Sequence, residues 1–225
     1  MVVMKRSFAV IGCVWLAAQL VNCGGGMKYK VDDAALDQVS AGEKQGVFAA
    51  QNEIEVSRSE LRTAESRLEA LDRDEDIAKK EKQQAELEIE KAAAEEESAV
   101  ASRDENRHNS AKHGKEIAAM GLKACDAKLE WLDQKRDALK ATRAAAEAHQ
   151  KASEAKVEFE KAKLAKQKNI KPGEDFAVDD YESQWKDKNS DWQSAKKDAE
   201  SEDKKANERE QKWKEMVAQH AKMRG

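Results

Sequence analysis

Between Ile117 and Lys168 one apolar series returns at every seventh position: Ile117, Ala124, Trp131, Ala138, Ala145, Ala152 and Phe159. A second series, Met120, Ala127, Gln134, Ala141, Ala148, Ala155 and Ala162, runs beside it. Two series at heptad spacing predict a long α-helix that packs on other helices. The same frame runs upstream through Val47, Ile54, Leu61, Leu68 and Ile89, with Ala50, Ala64, Leu71, Ala78, Ala85, Ala92 and Ala99 as its companion. Gly42 and Gly46 weaken the turns before it, so the first helix is expected from about Val47. A third stretch carries Tyr181, Trp185, Trp192, Ala199, Ala206, Trp213, Met216, His220 and Met223 on one face.

Two breaks divide this pattern. Asn169-Ile170-Lys171-Pro172-Gly173 is strong punctuation, because the residue before a proline is pushed out of helical geometry. It places a turn at 169–175, with the third helix starting near Asp175 or Phe176. The other break is expected at 105–112. There the seam becomes polar at Arg103, Asn106, Ser110 and His113, and Asn106, His108, Asn109, Ser110 and Gly114 are modest helix formers. The heptad phase is identical on both sides, so one continuous helix of more than a hundred residues is the alternative. The expected fold is all-α: an elongated antiparallel coiled-coil bundle of two to three long helices spanning 32–225.

Folding about Pro172 would set Phe159 against Trp185, Ala152 against Trp192, Ala145 against Ala199 and Trp131 against Trp213. Folding about residue 108 would set Leu71 against Ala145, Leu61 against Ala155 and Ala85 against Trp131. In both, large residues meet small ones or other rings, and the tryptophans read as core rather than as a ligand-stacking surface.

Composition sharpens this picture. The chain of 225 residues is 38% charged and 5% aromatic, with a single proline. Average domains carry about 25% charged residues. Low hydropathy and few aromatics also mark disorder, but the sustained period decides for helix. The net charge is −4, with both signs interspersed. No basic face suits phosphates, so nucleic acid is not an expected partner.

The N-terminus carries an address. Lys5 and Arg6 precede a largely apolar run of 15 residues, Ser7 to Val21. That is short of the ~20 residues a membrane helix needs but fits a secretory signal. The run ends in Leu20-Val21-Asn22-Cys23, followed by Gly24-Gly25-Gly26. This resembles the lipobox of bacterial lipoprotein precursors, over the first 26 residues only. Leu20 and Val21 match the pattern, and Asn22 stands where Gly, Ala or Ser is usual. The resemblance implies removal of a signal peptide at 1–22 and a lipid thioether on Cys23. Residues 23–31 would then be a Gly-rich tether. The bilayer becomes the first partner, through acyl chains on Cys23. The expected location is the cell envelope, lipid-anchored in the outer membrane and facing the periplasm or the surface. Protein partners along the rod and homo-oligomers are the remaining expectation.

Nothing in the rod predicts chemistry. Cys13 lies in the signal, which leaves Cys125 without an internal disulfide partner. His108 and His113 are five apart and do not share a helical face, so no metal site is expected. There is no phosphate loop and no nucleophile motif. A narrow coiled coil also offers little concave volume. The chain is read as a non-enzyme without cofactor or small-molecule substrate. The leading function is a membrane-anchored structural, spacer or adaptor lipoprotein. The alternative is a periplasmic holdase-type chaperone that binds clients.

Overall fold

The computed structural model describes residues 27–225. Three long helices account for most of them: α1 (Gln45–Ser102), α2 (Glu105–Gln167) and α3 (Val178–Arg224). A short 3-10 turn at Asp33–Leu36 precedes them, and no strand occurs among the described residues. The fold is an all-α antiparallel bundle. Helix α2 lies in the middle, with α1 packed on one flank and α3 on the other, while α1 and α3 do not pack on each other. At a 1.5 Å rise per residue, the 63 residues of α2 span roughly 95 Å.

The two connections are built differently. At the Pro172 end, Asn169 takes a left-handed conformation (φ 55°). Ile170 N–H donates to Ala165 O (2.9 Å) and Asn169 N–H to Lys166 O (3.2 Å). This pair of bonds is a Schellman closure, completed by Ile170 packing on the cluster that holds Leu164 and Ala165. Helix α3 starts at Val178, two residues after the expected Phe176, because Phe176 is drawn into that same cluster.

The α1–α2 turn lies at Arg103 and Asp104, not at 105–112, and the expected turn residues Asn106, His108, Asn109 and Ser110 are helical. Two residues suffice. Arg103 adopts left-handed geometry (φ 54°), and Asp104 is extended and caps α2 by accepting from Arg107 N–H (3.1 Å). Neither glycine nor proline marks the spot.

Moving that turn slides α1 along α2. Cross-helix pairs run Lys115–Glu96, Lys128–Glu81, Arg136–Asp72 and Lys156–Glu53. Leu71 therefore sits with Leu132, Ala138 and Leu139 rather than against Ala145, a displacement of roughly one heptad. Helix α1 also uses its own stripe of α2, which includes Leu129, Leu132, Leu139 and Ala146. The Trp131–Phe159 series faces α3. There the expected pairing holds at both ends: Trp131 stacks on Trp213 (4.8 Å) and Phe159 on Trp185 (5.5 Å). Trp192 lies beside Ala152, but its ring stacks on His149 (4.1 Å). All four of these tryptophans are half-buried, because α3 covers α2 from one side only.

Packing is uneven along the rod. One apolar cluster, at the Pro172 end, joins Val31, Leu36 and Val39 to Val47, Ala50, Val157, Leu164 and Tyr181. A smaller one at mid-rod holds Leu71, Ala78 and Leu132. Toward the α1–α2 turn the buried seam is alanine: Ala92, Ala99 and Ala118. We call the Pro172 end the base and the other the tip.

Candidate functional site

Cys23, the expected lipidation site, and the whole signal at 1–22 lie outside the described residues. The described residues begin at Met27. Residues Tyr29 to Val31, read from sequence as tether, are pinned to the base. Tyr29 N–H donates to Gln184 Oε1, and Gln184 Nε2 donates back to Tyr29 O, both at 3.1 Å. Val31 N–H donates to a Glu158 carboxylate oxygen at 2.7 Å, and the Tyr181 hydroxyl donates to Lys30 O at 3.2 Å. Lys161 bridges Asp33 (2.7 Å) and Glu158 (3.0 Å).

This strap explains two charged side chains that the heptad pattern places on an outer face. Glu158 and Lys161 are each only 7% exposed. Their heptad equivalents along α2, such as Glu130, Asp137, Lys140 and Lys151, are exposed, so the strap is what buries these two. Burial alone would lower the Lys161 pKa, but hydrogen bonds to Asp33 and Glu158 outweigh it and hold the ammonium above its ordinary range. Burial also raises the Tyr181 phenol, with Glu158 and Asp180 adding to the effect. No periodicity announces the strap. Val31, Leu36 and Val39 fit neither a helical nor a strand repeat, so sequence reading missed it.

The face opposite the strap carries a long shallow groove. Its floor is α2 and its walls are α1 and α3, with cavities of about 220 to 380 Å³ along it. A ladder of heptad-spaced pairs ties α1 to the floor: Glu53–Lys156, Glu60–His149 and Glu81–Lys128. At the heptad position between Glu60 and Asp74, Arg67 of α1 and Thr142 of α2 both line a cavity of about 380 Å³. The groove walls are charged of both signs, including Arg67, Asp74 and Asp203. Half-buried rings of Trp185, Trp192 and Trp213 interrupt it.

The remaining sequence candidates do not converge. His149 is used in the Trp192 stack and the Glu60 contact (2.8 Å). His220 lies over Gly121, where an added Cβ would meet its ring at 3.2 Å, and His113 stays exposed. Among the described residues no group of three His, Cys, Asp or Glu side chains is placed to hold a metal ion. Cys125 is a free thiol, its pKa raised by burial and then by Glu81. No helix among the described residues is long and apolar enough to cross a membrane. No protein-family model, curated protein or solved structure matches the chain.

Proposed function

We propose that this chain is an envelope lipoprotein, anchored through Cys23 and acting as a spacer or adaptor through its helical rod. The observation that carries the reading is the run Leu20-Val21-Asn22-Cys23 behind a short basic start and an apolar core, with three glycines after it. The strap adds support. It leads from the anchor side into the base, where α1 begins and α2 ends, so the rod has one end near its anchor and a tip roughly 90 Å away. A coiled-coil surface of interspersed charge suits protein partners along that length better than it suits lipid or nucleic acid.

The holdase alternative has less support. A client cradle needs an exposed apolar lining, and the groove walls here are charged and already engaged in the α1–α2 ladder. Neutron reflectometry of the acylated protein in a supported bilayer tests the spacer role. At high surface coverage a protein layer about 90 Å thick is expected. A layer near the ~10–12 Å width of a single helix, meaning rods lying flat, would contradict it.

A further inference from the structure

The strap is attached in an unusual way. Every backbone–backbone hydrogen bond made by residues 32–44 outside the regular helices is local, such as Ala35 to Asp32, Val39 to Leu36 and Lys44 to Ala41. Its hydrogen bonds and ion pairs to the rod all run through side chains, supplied by Gln184, Glu158, Tyr181, Lys161 and Lys168, the last paired with Glu43. Val31, Leu36 and Val39 are buried against the base, and Tyr29 packs on the same cluster with its ring 5.6 Å from that of Tyr181. Helix α1, by contrast, is held on α2 along its whole length.

Undocking carries a smaller electrostatic penalty than the burial of Glu158 and Lys161 suggests. An unpaired buried charge is costly because water cannot reach it. Here the strap itself excludes the water, so its departure returns both groups to solvent while their mutual contact at 3.0 Å can persist. The junction is permissive too. Ser40 to Lys44 is a run of turns, and Gly42 has open space around it. The strap's buried contacts are confined to one end of the rod and include no backbone pairing to the core, and a segment held in this way can open without the rest of the molecule.

We infer that residues 27–44 are a releasable length of tether: docked, they hold the base of the rod beside its anchor, and undocked, they lengthen the connection while α1, α2 and α3 stay folded. This rests on the reading of Cys23 as the anchor. Eighteen residues supply up to about 60 Å of contour at full extension. A relaxed coil of that length spans roughly 23 Å. The rod's reach would therefore be adjustable, and tension or a partner that competes for the strap's docking face would set it.

Hydrogen exchange on the full chain, read by mass spectrometry, tests the release. Amides of 29–39 are expected to exchange at least about a hundredfold faster than those of 129–146 in α2. Val31→Asp should abolish protection of 29–39 and leave 129–146 unchanged. Exchange of strap and mid-rod at one rate, or loss of mid-rod protection in Val31→Asp, would overturn the inference. In a supported bilayer the same variant should thicken the protein layer by about 20 Å. An unchanged layer with the strap undocked would refute the change in reach. If Cys23 carries no lipid, no layer forms in either protein, and the exchange result still stands on its own.

Discussion

Leu71→Ala probes the mid-rod packing at its most buried point. Leu71 is 1% exposed and packs on Leu132, also 1% exposed, with Leu129 and Leu139 around them. The substitution removes three carbons, worth about 0.8 kcal/mol each, or about 2.4 kcal/mol in transfer alone. The cavity term adds little, because Leu71 borders the groove and water can enter the space it vacates. The expected loss is therefore about 2.5–3 kcal/mol, the lower part of the range for buried Leu→Ala changes. Urea unfolding followed by circular dichroism and by tryptophan fluorescence, which senses the nearby Trp131–Trp213 stack, would measure it. Val56→Ala on the outer face of α1, where Val56 is 54% exposed, is the control and should stay within about 0.5 kcal/mol. A Leu71→Ala protein as stable as that control would refute the placement of α1 on the Leu129–Leu132–Leu139 stripe.

Three further outcomes follow from particular contacts. Asp104→Ala should cost about 1 kcal/mol in urea unfolding by removing the α2 cap, whereas Asn106→Ala, inside the helix, should be neutral or slightly stabilising; equal effects would move the turn. Lys161 and Tyr181 both hold their protons more tightly in the folded chain than in the unfolded one, so their contribution is complete below about pH 10 and is lost as pH rises through the raised values. Subtilisin should then cut within 29–39 before it cuts the helices as pH passes 10, and simultaneous cutting would contradict this. Cys125, its thiol held protonated by burial and neighbouring acid, should react with iodoacetamide at pH 8 at least about tenfold more slowly in the folded chain than in urea, as read by peptide mapping.

The sequence made the α2–α3 half of the rod legible because its signals are strong and agree. Pro172 marks the turn, and aromatic rings repeat at heptad spacing on both sides, so the sequence alone pairs Phe159 with Trp185 and Trp131 with Trp213. The α1–α2 half was legible in helix content but not in register. Its turn rests on the backbone conformation of Arg103 and a single Asp104 cap, and the polar residues after it fooled a reading based on helix propensity. An alanine-rich helix also offers two adjacent stripes of similar apolarity. Only packing decides that α1 takes the one with Leu132 and α3 the one with Trp131. The strap was illegible because its order comes from side chains far away in sequence, Glu158, Tyr181 and Gln184, acting on an aperiodic segment.

The anchoring at Cys23 is tested most directly by the mass of the chain's own N-terminus. The full precursor would be expressed in a Gram-negative host with a clickable fatty acid, and the envelope fraction mapped by mass spectrometry beside Cys23→Ala. The account predicts a chain that has lost residues 1–22, begins at Cys23, and carries acyl chains there that vanish in the variant. Cleavage elsewhere, or no cleavage, with an unmodified Cys23 would contradict the lipoprotein reading and leave the rod without its anchor.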